Sequence, residues 1–503
     1  AVEQEVFMGD VPMMTEQGSF IFNGIERVVI NQIVRAPSVY LKREKEDNST
    51  LSADMIPVHG TWIQIVQGAN EALKIVLERK NKISLGVFLK CFGFTNEDIL
   101  KLFGNNRYIK SIIDREAITT QEDALLEFSR KTRPADVASA ETTRSFMNAS
   151  FFTDAYYNLS IVGRYKFNKK LALKERLPGL VSYEDIVVDG EMLIKAGEVF
   201  TEESAKAVQN AGVNEVWVQL EGKKHLMRGN NRVTLSEVFP CKQEELGITE
   251  DVYYPTLQQI FADNKGKEKR MEAIKASVKD LIITTLTMDD ILATISCYLD
   301  VLEDIAGTDK IEHLSNKRVA TVGELTCNAF RSGITKLSIN VKETLQGREF
   351  VEVTPSQIMN PKAVNKALRD FFSQSQLSQI MDQKNPLSGI TQKRRISAVG
   401  PGGIKKERAD PEIRDIHFTH YGRICAIETP EGQSIGLLNT LAGYVRVNDY
   451  GFLETPYRIV DKTTGKVTKE IKYFMADIEN DHFIAQAIEP LDEEGHFVNK
   501  RVM

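Results

Sequence analysis

The alternation of apolar and polar residues at the start of the chain predicts a β-hairpin. Asn23-Gly24 separates two short strand-like runs, Ser19–Phe22 and Arg27–Ile30, and this dipeptide between such runs is a strong short-range hairpin signal. Residues 51 to 80 continue the alternation and are predicted to form further strands. The first part of the chain is therefore predicted to be rich in β-structure.

Helical spacing of apolar residues dominates from about residue 85 to about residue 150. A second β unit is predicted for residues 182 to 220, where Asp189-Gly190 joins two apolar runs and Thr201 can cap a short helix. These patterns predict a chain that mixes helices with antiparallel β units.

Capping residues followed by Pro mark two more helix starts, at Thr354-Pro355 and at Asn360-Pro361. The second of these helices has an apolar stripe formed by Val364, Leu368, Phe371 and Phe372. The polar run Ser373–Gln376 then breaks the amphipathic pattern. We expect a segment with a role other than core packing to begin there.

Length and charge narrow the class of protein. At 503 residues the chain is expected to form about three domains. Its 64 basic and 70 acidic residues give a net charge of −6, which excludes a globally basic nucleic-acid coat but leaves room for a local basic patch. No apolar run approaches the ~18 residues of a membrane helix, so a membrane-spanning role is excluded.

The five cysteines are far apart in the sequence and show no CxxC spacing. They fit reduced thiols in a cytosolic protein better than a disulfide framework or a zinc site. The chain begins without Met and ends at Arg501-Val502-Met503, and we expect it to be a piece of a longer protein.

A basic segment is the densest candidate for binding chemistry. It surrounds the glycine-rich turn Gly400–Gly403, contains a single acid, Glu407, and has six cations: Lys393, Arg394, Arg395, Lys405, Lys406 and Arg408. Such a turn can approach a phosphate backbone, and arginine can bind phosphate with two hydrogen bonds. On composition alone, a solvated basic turn is the favoured interpretation. The spacing GxxxxGK[ST] is missing, which excludes a P-loop nucleoside triphosphatase.

Two other residue groups have a functional and a structural interpretation. His417, His420, Cys425, Glu428 and Glu431 could hold a metal, but HxxH outside a helix favours hydrogen-bonded structural histidines. Trp62 and Trp217 are both predicted to be core residues, although an exposed Trp62 indole could stack on a base.

Long motifs follow one another in order along the whole chain. They are Phe7–Thr15, Gly24–Val28, Val162–Asn168, Glu312–Arg318, Gln376–Leu387, Lys393–Ala398, Gly400–Gly403, His420–Arg423, Glu428–Gly432 and Tyr450–Arg458. Together these motifs resemble the β subunit of bacterial DNA-dependent RNA polymerase. The resemblance implies a multidomain α+β fold of the polymerase β-subunit type. It would place residues 1–35 and 321–378 in the protrusion, 36–320 in the lobe and 379–503 in the fork region.

The resemblance also implies site residues. By position in the motifs, the RNA–DNA hybrid path and the pocket where rifamycins bind in this family would be lined by Gln376, Gln379, Asp382, Gln392, Arg394, Arg395, Ser397, Pro430, Glu431, Ser434 and Leu438. Contacts at the DNA fork would come from Lys405, Lys406, Arg408, Trp62, Glu312 and Lys317. The chain departs from the common family pattern at Ile380, Gln392 and Ser434 in the pocket, and at Glu312 and Lys317.

The implied function is that of part of a multisubunit nucleotidyltransferase that transcribes DNA into RNA. No aspartate cluster for catalytic metal ions is visible, and the family places that Mg²⁺ site on the β′ subunit. We therefore expect no catalytic residue and no bound cofactor or metal in this chain, which would be inactive alone. The implied partners are the β′, α, ω and σ subunits, both DNA strands and the nascent RNA, in the cytoplasm at the nucleoid.

Two alternatives from other classes stay open. One is a protein-interaction module whose fork residues are inert. The other is a stand-alone metal hydrolase that uses His417, His420 and Glu431.

Overall fold

A computed structural model of the chain describes residues 3–43, 51–68, 71–78, 80–220, 222–241, 246–346, 354–499 and 501. Two compact units divide the chain. Residues 1–35 and 311–503 form the discontinuous unit, and residues 36–310 form the inserted unit between its two parts. The expected multidomain α+β class is confirmed by the helices and antiparallel sheets of both units.

The N-terminal part of the discontinuous unit contains strands β1 (Phe20–Phe22), β2 (Ile25–Val29) and β3 (Asn31–Arg35). The predicted hairpin is confirmed, since β1 and β2 pair in antiparallel fashion around Asn23-Gly24. Both turn residues have positive φ, 51° at Asn23 and 77° at Gly24, which is the conformation that a two-residue type I′ turn requires.

The inserted unit begins with a five-stranded antiparallel sheet, in which the strands pair in chain order, followed by helices. Its first elements are β4 (Ser38–Arg43), β5 (Leu51–Ile56), β6 (Ile63–Gln67), β7 (Leu73–Leu77), β8 (Asn81–Ser84), α1 (Leu85–Cys91), α2 (Asn96–Phe103), α3 (Arg107–Arg115), α4 (Gln121–Thr132), α5 (Ala140–Phe152), α6 (Ser160–Leu171) and α7 (Leu173–Arg176). The predicted strands of residues 51 to 80 and helices of residues 85 to 150 are confirmed, except that residues 69, 70 and 79 lie outside the described part.

The inserted unit continues with small sheets and helices. These are β9 (Val181–Ser182), β10 (Ile186–Val188), β11 (Glu191–Ile194), α8 (Glu202–Asn210), β12 (Glu215–Leu220), β13 (Lys223–Arg228), β14 (Arg232–Val233), α9 (Leu235–Val238), β15 (Val252–Tyr253), α10 (Tyr254–Asp263), α11 (Lys267–Ala276), α12 (Val278–Leu281) and α13 (Met288–Leu302). The predicted hairpin at Asp189-Gly190 joins β10 and β11, and the Thr201 side chain caps α8.

The prediction that Trp217 is a core residue is wrong. Along β12 the flanking residues Val216 and Val218 are buried, so the alternation of a strand turns Trp217 to the other face. There the indole is half-buried, and the Lys224 ammonium lies 4.6 Å from the ring centroid. Trp217 is therefore a partly exposed residue in cation–π contact with Lys224.

A fully buried ion pair lies under the sheet of the inserted unit. The Arg164 side chain of α6 and the Asp290 carboxylate of α13 both have 0% exposure. Arg164 Nη1 donates to Asp290 Oδ1 at 2.8 Å, and its Nε and Nη2 donate to the carbonyls of Ile283 and Thr285, each at 2.6 Å. Every nitrogen of this guanidinium therefore has an acceptor in the core.

The second part of the discontinuous unit returns to the N-terminal strands. Its elements are β16 (Lys317–Ala320), α14 (Val322–Gln346), α15 (Pro355–Ile358), α16 (Lys362–Gln374), β17 (Ser378–Ile380), α17 (Pro386–Lys393), β18 (Arg395–Ser397), α18 (Pro411–Arg414), β19 (Leu438–Thr440), β20 (Arg446–Val447), β21 (Leu453–Val460), β22 (Val467–Met475) and α19 (Ala476–Glu479). Strand β16 pairs with β3 in antiparallel fashion, and this second part of the discontinuous unit begins at residue 311.

Two sheets bring distant parts of the chain together in this unit. One has the strand order β1-β2-β17, and the other has the order β16-β3-β18-β19 with β3 and β18 parallel. Both predicted helix starts are confirmed by α15 and α16, and the stripe residues Val364, Leu368 and Phe372 are buried. Among the described helices of the chain, none combines the length and the apolar character needed to cross a membrane.

Candidate nucleic-acid interface

The candidate site is built on β17, α17 and β18, which follow one another in the sequence. Asn385 caps α17 by accepting a hydrogen bond from the Ser388 amide at 2.9 Å. At the other end of the helix, the buried Gln392 side chain accepts a hydrogen bond from the Asp382 amide at 2.8 Å and donates to the Ile380 carbonyl at 3.0 Å. It also lies 3.4 Å from Gln379 Oε1. Gln392 therefore fixes the segment that carries Gln379 and Asp382.

Two adjacent arginines have different surroundings. Arg394 ends α17, and its half-buried guanidinium donates to the carbonyls of Ala442 and Gly443, the latter at 3.5 Å. Arg395 begins β18 and is exposed. Among the described residues, the Arg395 guanidinium has no hydrogen-bond or ion-pair partner. Arg394 thus braces the fold, whereas Arg395 offers an open cation.

Strands β18 and β19 place Ser397 opposite Leu438. Ser397 is buried at 3% exposure, and its hydroxyl lies 3.2 Å from both the amide and the carbonyl of Val399. Leu438 is half-buried. The Ser397 hydroxyl therefore stabilises the turn that leads from β18 into the basic loop.

The basic loop carries most of the remaining cations. Lys405 and Arg408 are exposed and Lys406 is half-buried, with no side-chain partner for any of the three among the described residues. An open groove of about 610 Å³ lies beside this loop, and Gln376, Lys405 and Lys406 line it together with the end of α16. The structure thus brings one predicted pocket residue and two predicted fork residues to the same groove.

The loop before β19 holds Pro430, Glu431 and Ser434. Pro430 and Glu431 are exposed and Ser434 is half-buried. The loop returns to β19 through Thr429, whose hydroxyl donates to the Leu438 carbonyl at 2.9 Å. These side chains therefore stand at the surface next to β18 and β19.

Glu312 and Lys317, which were predicted to contact DNA, pair with each other. Lys317 Nζ donates to Glu312 Oε2, and both side chains are largely buried at the start of β16. Burial, followed by the charge of Lys317, lowers the pKa of nearby His420 to about 4. The carboxylate and the ammonium thus already satisfy one another.

The histidines do not form a metal site with the neighbouring acids. The His417 ring hydrogen-bonds the Thr419 hydroxyl through Nδ1 at 2.8 Å, and His420 Nδ1 accepts from the His417 amide at 3.3 Å. Glu428 and Glu431 are exposed in the following loop. Throughout the described residues, no three His, Cys, Asp or Glu side chains are grouped so that they could hold a metal. The geometry gives no support to the metal-hydrolase alternative.

Trp62 belongs to the inserted unit, and the prediction that it is a core residue is wrong. It precedes β6 and is 36% exposed, because the alternation that buries Ile63 and Ile65 begins one residue later. Its indole lines an open groove of about 590 Å³ with Phe146, Tyr156 and Glu78. The alternative of an exposed indole is the one that the structure supports.

N-terminal residues that the sequence reasoning missed also build the site. Arg27 Nη1 of β2 donates to the Ser378 carbonyl at 3.2 Å, and Gln32 Nε2 of β3 lies 3.4 Å from the Val399 carbonyl. No local signal marks either residue, since the partner strands lie far along the chain. Arg414 was missed as well, although it lies only six positions beyond the basic segment.

Three family models match separate parts of the chain. Residues 35–196 match domain 2 of RNA polymerase Rpb2, residues 379–447 match its domain 3, and residues 457–503 match the external 1 domain of the RNA polymerase beta subunit. The matches are in the expected order and include most of the candidate site residues. Both the Rpb2 and the beta-subunit descriptions refer to RNA polymerase.

Curated relatives match over nearly the whole chain. The DNA-directed RNA polymerase subunit beta of Clostridium perfringens (strain SM101 / Type A) is 43% identical over 505 residues, which is 99% of this chain and 41% of that protein. The same subunit of Clostridioides difficile (strain 630) is 43% identical over 507 residues, which is 100% of this chain and 41% of that protein. The chain spans about two fifths of the length of these relatives, and it belongs to the β-subunit family of bacterial DNA-directed RNA polymerases.

Proposed function

We propose that the chain serves as part of a multisubunit DNA-directed RNA polymerase and lines a channel for the RNA–DNA hybrid and the downstream DNA. The observation that carries this proposal is a set of three exposed cations, Arg395, Lys405 and Arg408, whose side chains have no partner within the described part of the chain. An open cation on a rigid strand start or a turn suits contact with a phosphate backbone, which positions a duplex without reading its sequence.

Neutral polar side chains support the same role. Gln376 is exposed and lines the groove beside Lys405, and Gln379 is half-buried, so both offer hydrogen bonds without a sequence preference. Gln392 and Ser397 are buried, and in this proposal they position their neighbours. The pocket implied by the rifamycin motif would then have a wall whose shape depends on the hydrogen bond that the Gln392 side chain accepts from the Asp382 amide.

The partners and the chemistry follow from the family. We propose that the chain works with the β′, α, ω and σ subunits and with template, non-template and RNA strands. The polymerisation chemistry would be carried out with Mg²⁺ held by the β′ partner, since no suitable acidic cluster exists among the described residues here. The role of this chain would be to hold the nucleic acid in register.

The test compares the two adjacent arginines in the full chain. Binding of a labelled RNA–DNA hybrid is measured against salt concentration for the wild type, Arg395→Gln and the matched control Arg394→Gln. We expect Arg395→Gln to reduce the slope of log K against log salt by about 0.7–0.9, the contribution of one phosphate contact. Arg394→Gln should leave the slope unchanged, because its guanidinium already donates to the Ala442 carbonyl.

The control variant has its own signature. Arg394→Gln removes a charged donor from the Ala442 carbonyl, so the free energy of unfolding should fall by about 1–3 kcal/mol. Arg395→Gln should have the same free energy of unfolding as the wild type. The proposal fails if the wild type does not bind the hybrid or if Arg395→Gln leaves the salt slope unchanged.

A further inference from the structure

The loop from Glu428 to Gly436 carries three of the predicted wall residues but has little packing of its own. Ile427, just before the loop, is 90% exposed, and Ile435 within it is 49% exposed. The chain becomes fully buried again only at Leu437. Side-chain burial therefore cannot define the path of this loop.

One hydrogen-bonded brace closes the base of the loop. The Thr429 hydroxyl donates to the Leu438 carbonyl and accepts from the Gly436 amide, each at 2.9 Å. The turn inside the loop is closed by the Ile435 amide, which donates to the Gly432 carbonyl at 3.1 Å. These contacts tie the two ends together but leave the orientation of the loop open.

Arg414 supplies a contact from outside the loop. This half-buried residue ends α18, and its Nη1 donates to the carbonyls of Gln433 and Ile435, both at 2.8 Å. The backbones are also in close contact, since a Cβ added at Gly436 would lie 2.5 Å from Arg414 Cα. Gly436 has φ +71°, which favours glycine for a second reason.

We infer that Arg414 is the positioning residue that sets the orientation of the loop carrying Pro430, Glu431 and Ser434. A guanidinium is charged at every accessible pH and presents its donors in a rigid plane, so it can hold two carbonyls in a fixed relation. The two acceptors lie on either side of Ser434. Arg414 thus acts through backbone that it orients, and the functional part of this inference rests on the function proposed above.

A direct phosphate contact by Arg414 is the competing explanation. The residue lies six positions beyond Arg408 in the sequence, and only its Nη1 is committed to carbonyls by these contacts. The two roles predict different behaviour. A positioning residue affects the order of the loop and binding at all salt concentrations equally, whereas a phosphate contact changes the salt dependence.

The first measurement is hydrogen exchange on the full chain for Arg414→Met, which keeps the aliphatic stem. The matched control is Arg408→Met, an exposed arginine of the basic segment without a side-chain partner among the described residues. We expect the amides of Ile435, Gly436 and Leu437 to exchange about tenfold faster in Arg414→Met only. The Cys425 amide, which donates to the Thr440 carbonyl outside the loop, should keep its rate.

The second measurement is hybrid binding against salt for the same variants and for Arg414→Lys. We expect Arg414→Met to weaken binding by about two- to fivefold at every salt concentration, with an unchanged slope. Arg414→Lys should recover part of both the exchange protection and the affinity, because its ammonium can replace one of the two carbonyl contacts. Arg408→Met should reduce the slope.

The outcomes separate the two proposals. Unchanged exchange in the loop, or faster exchange throughout the discontinuous unit, would overturn the positioning role of Arg414. A reduced salt slope in Arg414→Met would overturn it in favour of a phosphate contact. If the wild type does not bind the hybrid, the proposed function fails, and local acceleration of exchange still supports Arg414 as the residue that orients the loop.

Discussion

Replacing Arg164 by Met would leave the Asp290 carboxylate buried without its main partner. In the wild type, burial alone would raise the pKa of Asp290, but the charges of Arg164 and Arg232 outweigh it and hold this pKa below its usual value. The variant also strips the carbonyls of Ile283 and Thr285 of their donors. Breaking a buried pair in this way costs about 3–5 kcal/mol.

The inserted unit can be followed selectively, because both tryptophans of the chain, Trp62 and Trp217, lie within residues 36–310. Urea unfolding observed by tryptophan fluorescence therefore reports on this unit. With a denaturant slope of about 3 kcal/mol per molar, the expected loss lowers the midpoint by about 1–2 M. The control Arg130→Met removes a 68% exposed side chain and should change the stability by less than about 0.5 kcal/mol.

The dependence on pH sharpens this prediction. In the wild type the Asp290 contribution is present above the carboxyl pKa of the unfolded chain and is lost as the pH falls through the lower folded pKa. In Arg164→Met the unbalanced burial penalises the charged form, so the deficit should shrink when the pH falls from neutral to mildly acidic. Adding Asp290→Asn to Arg164→Met should restore part of the stability near neutral pH. A deficit no larger than that of Arg130→Met would refute the reasoning.

Two further predictions concern the discontinuous unit. Burial and the charge of Lys317 lower the pKa of His420 to about 4, so an NMR titration should find this imidazole neutral well below its ordinary ~6.5, and a midpoint near 6.5 would contradict this. Because the unfolded chain binds more protons between these two pH values, the free energy of unfolding should decrease as the pH is lowered from about 6.5 to about 4. The decrease should be smaller in His420→Gln. Gly436→Ala places a Cβ 2.5 Å from Arg414 Cα, whereas Gly402→Ala meets open space at a similar φ. Urea unfolding should show that Gly436→Ala lowers the free energy of unfolding by about 2–4 kcal/mol and Gly402→Ala by about 1 kcal/mol. Equal losses in the two variants would disprove the steric argument.

Local features of the fold were predictable because each depends on one or two residues. Asn23-Gly24 tolerates two positive φ values, and the capping residue Thr201 accepts a hydrogen bond from the Ser204 amide in the first turn of α8. The burial pattern of α16 follows from apolar spacing alone. The parallel pairing of Asn31 with Ile396 could not be predicted, since nothing in either short strand identifies its partner.

The candidate site was predictable as a set of residues but not as a set of roles. Arg394 and Arg395 are equivalent in the sequence, and only the end of α17 and the start of β18 turn one inward and the other outward. Ser397 reads as a surface hydroxyl, yet its strand buries it. Side-chain direction depends on where elements begin and end, which is the least certain quantity in a sequence.

The parallel pairing of β3 with β18 has a consequence for synthesis on the ribosome. The inserted unit, residues 36–310, is complete before the strand partners of β3 emerge. About 360 residues separate β3 from β18. At a translation rate of about 5–20 residues per second, this stretch takes roughly 20 to 70 s to make. β3 has two open edges until β16 is made and one open edge until β18 is made. The N-terminal strands therefore wait through the synthesis of an entire inserted unit with edges that are exposed to wrong pairing.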